Sequence, residues 1–199
     1  MVFLIPCHLT FDTLNNIIYH HIHETDIIFS DDHKNKMLEC AMNDDRWINH
    51  ITHDGGEEQP YQFIKFLDTD EVRDESIVEA EKIVTDKIKK PASIYIMRLP
   101  AYTDMHVHID TYTKPGQSRR TIMMTLLSPR NYKEETRIEY YEQDKKTVTE
   151  SHIYDDRAII TDPSVFHRCF NQTPEWRYSL QITWNDEVKD IIERLGNVN

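Results

Sequence analysis

The sequence predicts a mainly β fold with N-terminal helices, an α+β chain in which a barrel or a double-sheet jelly roll carries helices on its outside. Two observations predict this class. Apolar residues before Pro91 recur with helical spacing, whereas after Pro91 they alternate with polar residues as in strands. Turn residues also cut the second half into short runs at hairpin-like intervals. We therefore expect the strands to form the core and the helices to cover it.

The composition limits the broad class of protein. The 199 residues match one domain with a sizeable core, and a hydrophobic content of 39% excludes disordered and low-complexity chains. The formal net charge of −12 argues against extended nucleic-acid binding, because phosphate contacts require a basic surface. No stretch approaches the roughly 20 apolar residues of a membrane helix, so we expect no membrane partner.

The cysteines indicate a reducing compartment. Cys7, Cys40 and Cys169 lie far apart and form no C-x-x-C pair. Neither a zinc knuckle nor a disulfide framework is predicted from this spacing. We therefore expect a cytoplasmic location.

The chain is predicted to form a single domain over residues 1–199, since no repeat or linker interrupts it. Within it, we expect a helical N-terminal support at 1–91, a jelly-roll core at 92–185 and a short helix or tail at 186–199. The predicted helices are Asp12–His23, Ser30–Met42 and Glu71–Lys90, with an exposed loop at Asn49–Gln59. The predicted strands are Ser93–Leu99, Met105–Thr111, Arg120–Leu127, Thr136–Glu142, Thr147–Ile153, Arg157–Thr161, Val165–Phe170 and Trp176–Trp184.

The first candidate site is a His-x-His-x-Asp string in the second predicted strand. His106, His108 and Asp110 would share one face of that strand, because side chains alternate across it. A face with two imidazoles and a carboxylate suits the lining of a cavity. The string by itself is equally compatible with a solvated strand edge, so a second signal is needed.

The last predicted strand gives that second signal. Arg177 and Ser179 lie on its polar face, and the opposite face is aromatic and aliphatic. An arginine with a serine two residues later can clamp a carboxylate through a bidentate guanidinium fork and one hydroxyl donor.

In order and spacing, these elements resemble the Fe(II)- and 2-oxoglutarate-dependent oxygenases. The resemblance covers about Ser93 to Trp184 and implies that family's double-stranded β-helix, a cupin-like jelly roll, as the catalytic core. A facial triad of two histidines and one carboxylate leaves iron positions open for an oxo-acid and dioxygen. The resemblance implies His108, Asp110 and His167 as catalytic metal ligands for Fe(II). It implies Arg177 and Ser179 as the residues that bind the distal carboxylate of 2-oxoglutarate.

Several nearby residues leave alternatives open. His106 and His108 could be the paired ligands of a cupin, but that family's glutamate is missing after them, and we expect His106 to be a second-sphere or pocket-lining residue. Cys169 would share the face of His167 and is interpreted as a packing residue. Tyr95 and Tyr102 are both candidates for a tyrosine that contacts 2-oxoglutarate.

The resemblance implies an oxidoreductase, a dioxygenase that hydroxylates an amino acid, a peptidyl residue of prolyl or asparaginyl type, or a small metabolite. The run His167-x-x-x-Asn171-x-Thr173-x-Glu175-x-Arg177 is similar to the distal motif of aspartyl/asparaginyl and proline hydroxylases, which favours the first two. The alternatives are a non-catalytic jelly-roll metal-binding module and a nucleobase-modifying oxygenase. The expected partners are dioxygen and a peptide or small-molecule substrate.

Overall fold

The computed structural model describes residues 20–51, 58–66, 74–110, 121–131 and 135–196. Within these ranges the chain forms three helices, α1 (Asp31–Met42), α2 (Glu75–Lys87) and α3 (Val188–Gly196). The strands of the same ranges are β1 (Ile22–Ile28), β2 (Ile48–Ile51), β3 (Glu58–Lys65), β4 (Ser93–Leu99), β5 (Thr103–Asp104), β6 (Thr121–Ser128), β7 (Arg137–Tyr141), β8 (Val148–Ile153), β9 (Arg157–Thr161), β10 (His167–Asn171) and β11 (Arg177–Trp184).

The strands form two sheets. The major sheet has the order β1-β9-β6-β11-β4-β3-β2, and the minor sheet has the order β5-β10-β7-β8. The pairs in both sheets are antiparallel. Two such sheets with helices against one of them make a jelly roll, so the predicted fold class is confirmed.

Each face of the major sheet packs against a different layer. Its outer face packs against the three helices in a first apolar cluster. The helices contribute Met37, Ala41, Ile77, Val84 and Ile191 to this cluster. Its inner face packs against the minor sheet through a second apolar cluster. The alternation in β11 explains this arrangement, because Leu180, Ile182 and Trp184 enter the outer cluster while the intervening residues point between the sheets.

Local signals set the two predicted helices that the structure confirms. Helix α1 begins after Ser30, whose hydroxyl accepts a hydrogen bond from the His33 backbone N at 3.2 Å. Helix α2 begins after Asp74, whose carboxylate accepts from the Ser76 backbone N at 2.8 Å. Residues 71–73 of the predicted helix Glu71–Lys90 lie outside the described residues.

Three predicted elements require correction. The end of the predicted helix Asp12–His23 is wrong, because Ile22 and His23 pair with β9 in strand β1; residues 12–19 lie outside the described residues. The predicted loop Asn49–Gln59 is wrong at both ends, which belong to strands β2 and β3. The described part of residues 1–91 therefore supplies three strands of the major sheet as well as two helices.

The predicted strand Met105–Thr111 is also not a regular strand. It follows β10 through separate hydrogen bonds, from the Met105 backbone N to the Cys169 carbonyl O (3.0 Å) and between the backbones of His108 and His167. Because this pairing is irregular, His106 does not share the surroundings of His108. Thr111 lies outside the described residues.

Near the C-terminal end of the described residues the chain forms helix α3, Val188–Gly196. Among the described residues, we find no helix that combines the length and the apolar character needed to cross a bilayer.

Candidate metal centre and carboxylate pocket

The side chains of His108, Asp110 and His167 converge between the sheets. One ligand-type atom from each lies within 4.8 Å of the others. The His108 Nε2 atom lies 3.2 Å from Asp110 Oδ1, and His167 Nε2 lies 3.5 Å from Asp110 Oδ2. The three residues that the sequence singled out as a triad are therefore brought together by the fold.

Backbone carbonyls orient both imidazoles. The His108 Nδ1 atom lies 2.6 Å from the carbonyl O of His106, and His167 Nδ1 lies 2.8 Å from the carbonyl O of Val165. A carbonyl oxygen can only accept, so each Nδ1 carries the proton and donates it. Both Nε2 atoms face Asp110, and in the neutral imidazole Nε2 is the nitrogen without a proton. This is the tautomer that a metal ligand requires.

Asp110 remains ionised in this position. Burial alone would raise the pKa of its carboxyl, but the neighbouring His108 and His167 imidazoles hold that pKa well below its usual range. The Asp110 backbone N also donates to the Pro163 carbonyl O at 2.9 Å, which anchors the segment after His108.

This donor set fits a divalent transition metal. Two imidazole nitrogens and one carboxylate supply three ligands, which leaves further coordination positions of a six-coordinate metal open. Within the described ranges, this is the one group of three or more His, Cys, Asp and Glu side chains close enough to hold an ion. The described cysteines, Cys40 and Cys169, are free thiols outside that group.

The second predicted feature, Arg177, lies in the same layer between the sheets. Its side chain is 1% exposed, and its Nε, Nη1 and Nη2 atoms have no hydrogen-bond partner among the described residues. Ser179 is fully buried, and its Oγ atom also lacks a partner there. A buried guanidinium without a partner is costly, so this pair of residues is suited to a ligand that carries an anionic group.

Arg177 stays positively charged in this pocket. Desolvation alone would lower the pKa of its guanidinium, but the neighbouring Tyr154 and Cys169 side chains outweigh that effect and raise the pKa above its ordinary value. Cys169 follows His167 by two residues on β10. Burial raises the pKa of the Cys169 thiol, and the Asp110 carboxylate adds to that rise while the Arg177 guanidinium opposes it. The Arg177 pocket and the candidate metal centre therefore lie on either side of Cys169.

Two buried tyrosines were missed by sequence reasoning. The Arg177 guanidinium carbon lies 4.8 Å from the ring centre of Tyr154, and the Tyr140 ring lies 5.5 Å from that of His167. Burial raises the pKa of both phenols, so each hydroxyl is a donor at neutral pH. No spacing rule connects these tyrosines with their neighbours, since the strands are joined only in the folded chain.

The tyrosines proposed from the sequence lie elsewhere. Tyr102 is 68% exposed with a positive φ of 52°, and Tyr95 packs edge-on against Phe63. Cys169 is buried at 2% exposure with Sγ 3.8 Å from the Tyr154 hydroxyl, consistent with a packing role. His106 is exposed and lines a separate cavity.

A turn between β10 and β11 sets the position of Arg177. Asn171 is fully buried, and its Nδ2 atom lies near the carbonyl oxygens of Leu99 (3.1 Å), Pro100 (2.6 Å) and Glu175 (2.9 Å). The Thr173 hydroxyl donates to Asn171 Oδ1 at 2.7 Å. These contacts tie the turn that precedes Arg177 to the end of β4.

Comparison with solved structures shows that the chain shares its jelly-roll fold with proteins that include prolyl hydroxylases and a non-heme α-ketoglutarate-dependent epimerase. No family model matches the chain. No curated protein matches it either. The likeness is therefore one of fold, found among solved structures.

Three solved structures illustrate that likeness. A prolyl hydroxylase from Trichoplax adhaerens, in complex with a hypoxia inducible factor peptide fragment, has a TM-score of 0.62 and 11% identity, covering 90% of this chain and 87% of that chain. A Pseudomonas putida prolyl-4-hydroxylase has a TM-score of 0.58 and 11% identity, and the match covers 84% of this chain and 94% of that chain. HygX from Streptomyces hygroscopicus, with nickel and 2-oxoglutarate bound, has a TM-score of 0.54 and 9% identity. The match covers 90% of this chain and 88% of that chain.

Proposed function

We propose that this protein is an Fe(II)- and 2-oxoglutarate-dependent dioxygenase that hydroxylates an amino-acid, peptidyl or small-metabolite substrate. One observation carries the proposal. A buried Arg177 guanidinium, without a hydrogen-bond partner among the described residues, lies in the same layer as the converged His108, Asp110 and His167 group. A metal-binding module without co-substrate would have no use for that buried charge.

His108, Asp110 and His167 would hold the iron. In the neutral imidazoles Nε2 is the nitrogen available to a metal, because the Nδ1 atoms donate to backbone carbonyls, and Asp110 supplies a negative charge. A bound Fe(II) supplies the redox chemistry that couples dioxygen and the oxo-acid to substrate oxidation. The protein needs no general acid or base for that chemistry.

Arg177 and Ser179 would bind the distal carboxylate of 2-oxoglutarate. The guanidinium would form a bidentate pair with it, and the Ser179 hydroxyl would donate a further hydrogen bond. The Tyr154 ring restricts the guanidinium from one side, and burial excludes water that would weaken the ion pair. The pocket thereby fixes the far end of the oxo-acid relative to the metal.

A peptidyl substrate of prolyl or asparaginyl type is the substrate that we favour. The turn that contains Asn171, Thr173 and Glu175 is similar to that of the corresponding hydroxylases, and two neighbours of the same fold are prolyl hydroxylases, one solved with a peptide. The resemblance is carried by the residues that precede Arg177, which also set its position.

The test is an anaerobic titration of the full-length protein with Fe(II) and then with 2-oxoglutarate, followed by an aerobic screen for succinate release. The screen covers proline- and asparagine-containing peptides, free amino acids and nucleosides. We expect one equivalent of metal, 2-oxoglutarate binding that requires Arg177, and succinate release stimulated by a peptide.

Matched variants separate the parts of the proposal. His167→Ala is expected to lose iron binding, whereas Arg177→Lys is expected to keep iron binding and weaken 2-oxoglutarate binding. Metal binding without any binding of 2-oxoglutarate would instead indicate the non-catalytic module. Stimulation by nucleosides alone would indicate a nucleobase-modifying oxygenase.

A further inference from the structure

We propose that a cavity beside the metal-ligand segment binds a carboxylate group of the substrate, so that the substrate carries an acid function close to the carbon that reacts. This inference rests on the proposed function and names the chemical class of its substrate. The cavity has a volume of about 370 Å³ and is lined by residues that include Gln59, Gln62, His106 and Trp176. That volume is within the range of ligand pockets and accommodates a small acid or an acidic residue of a peptide.

A positive charge without a carboxylate partner lies directly behind the cavity wall. The Arg98 guanidinium carbon lies 3.9 Å from the Trp47 ring centre and 5.0 Å from that of Trp176. Its Nε and Nη2 atoms donate to Gln62 Oε1 at 2.8 and 2.6 Å, and no described carboxylate forms an ion pair with it. Most other arginines of the described ranges have such a partner, namely Arg46, Arg130, Arg137, Arg157 and Arg168. The charge of Arg98 is therefore available to attract an anion into the cavity.

The glutamine side chains of the wall have their oxygens occupied and therefore offer donors to a ligand. Gln62 Oε1 accepts from Arg98, and Gln62 Nε2 donates one hydrogen to Asn49 Oδ1 at 2.7 Å and retains a second. Gln59 is 3% exposed, and its Oε1 atom accepts from the His106 backbone N at 3.1 Å. The Gln59 Nε2 atom has no hydrogen-bond partner among the described residues. A carboxylate only accepts hydrogen bonds, so it matches this set of donors.

Trp176 offers a flat apolar surface for the part of the substrate next to the carboxylate. Its side chain lines the cavity and is 42% exposed. The contact with Arg98 fixes the ring before a ligand binds, so binding orders few additional groups. The cavity thus joins an anion-binding wall to an aromatic wall.

One wall of the cavity is also part of the metal segment. His106 precedes the proposed ligand His108 by two residues, which limits the separation of their Cα atoms to about 7 Å. The carbonyl O of His106 accepts from His108 Nδ1 at 2.6 Å. A carboxylate held in the cavity would therefore keep the neighbouring carbon atoms of the substrate close to the reacting centre.

Nuclear magnetic resonance of the Trp176 indole N–H group tests the proposal with two matched pairs of probes. Acetyl-leucine and acetyl-leucinamide differ in a free α-carboxylate, whereas acetyl-aspartyl-amide and acetyl-asparaginyl-amide differ in a side-chain carboxylate. Inorganic phosphate is the comparison anion. We expect at least one carboxylate probe to shift the Trp176 signal in a saturable manner and to bind at least tenfold more tightly than its neutral counterpart. The pair that shows this preference distinguishes a free acid from an acidic residue of a peptide.

Two variants then locate the binding site. Gln59→Glu replaces a donor of the wall by a carboxylate of the same shape that can still accept from the His106 backbone N, and it should weaken carboxylate binding at least tenfold. Gln143→Glu is the matched control, because it adds the same charge in the exposed turn between β7 and β8. Arg98→Gln should also weaken carboxylate binding roughly tenfold, whereas Arg157→Gln, at the surface, should not.

Three results would overturn the proposal. The first is equal binding of the carboxylate probes and their neutral counterparts. The second is unchanged carboxylate binding in both Gln59→Glu and Arg98→Gln. The third is binding of inorganic phosphate without binding of either carboxylate, which would assign the cavity to a phosphate group instead.

Two series of measurements keep this inference separate from the proposed function. The full-length protein carries Zn(II) and 2-oxoglutarate in one series and neither in the other. Carboxylate binding in the second series supports the cavity even if iron and 2-oxoglutarate fail to bind. Loss of probe binding on addition of 2-oxoglutarate would place the co-substrate in the cavity and overturn the substrate assignment. Absence of a Trp176 shift in both series also overturns it and leaves the metal and co-substrate titrations as an independent result.

Discussion

Replacement of Arg177 by methionine should have opposite effects on stability and on co-substrate binding. The wild-type guanidinium is 1% exposed and has no hydrogen-bond partner among the described residues, so it is a buried charge that awaits a ligand. Replacing a buried ion pair with well-packed apolar residues is neutral or stabilises by about 1–4 kcal/mol, and we expect the same direction for this single buried charge. For a chain of this size, each kcal/mol of stability corresponds to a shift of about 2–4 °C in Tm.

The same substitution should remove most of the binding of 2-oxoglutarate. Loss of a desolvated charge pair costs about 2–5 kcal/mol, which is about 30-fold to several thousand-fold in affinity. The loss of 2-oxoglutarate affinity in Arg177→Lys should lie near the lower end of that range, because an ammonium keeps the charge but loses the planar fork. Iron affinity should remain nearly intact in both variants.

Thermal unfolding with and without 2-oxoglutarate, together with calorimetric titration of the co-substrate, measures both effects. Arg157→Met is the control, since Arg157 is 50% exposed at its side chain and pairs with Glu24 on the surface at 2.8 Å. The Arg157→Met substitution should change neither the Tm nor the affinity for 2-oxoglutarate appreciably. Unchanged 2-oxoglutarate affinity in Arg177→Met, or a loss of several kcal/mol of stability without ligand, would refute the reasoning.

Three further predictions concern the surroundings of the site. His106→Ala should retain most iron binding while His167→Ala loses it, as measured by anaerobic titration; equal loss in both would place His106 among the ligands. Asn171→Ala should weaken 2-oxoglutarate binding roughly tenfold with little change in iron affinity, because the turn before Arg177 loses its anchor; equal weakening of both would indicate only a general structural role. Burial would raise the pKa of Glu139, but hydrogen bonds from Tyr141 and Arg137 lower that pKa below 4.5. The ionised Glu139 carboxylate therefore stabilises the fold above about pH 4.5, and this contribution is lost as pH falls through the depressed folded-state pKa. Glu139→Gln should therefore destabilise the protein more at pH 6 than at pH 3 in urea unfolding, and an equal effect at both values would contradict this assignment.

The sequence by itself determined the elements whose local pattern has one solution. The stripe of α2 and the strict alternation of β11 each predict one secondary structure, and both are found. In β11 both faces are buried, the apolar face against the helices and the polar face between the sheets. The same alternation predicted that Arg177 and Ser179 share a face, and the structure buries both. The triad residues were also selected from the sequence, and the fold brings them together.

Only the tertiary structure decided the elements whose local pattern is ambiguous. The segment Ile22–Ile28 alternates imperfectly and fits a helix or a strand, and its pairing with β9, 129 to 139 residues later, selects the strand. Strand β3 contains Pro60, which weakens any strand signal, yet it pairs with β4 from residue 62 onward. Neighbouring strands, and not local preference, satisfy these backbone groups.

The tertiary structure also decided which aromatic residues surround the site. Tyr154 meets Arg177 and Tyr140 meets His167 only because β7, β10, β11 and the segment after β8 enclose one interior. In the sequence these residues are unremarkable members of a set of 10 tyrosines. Periodicity reports which face of its own element a side chain occupies, whereas contacts between elements depend on sheet order and register, which arise from packing across the whole chain.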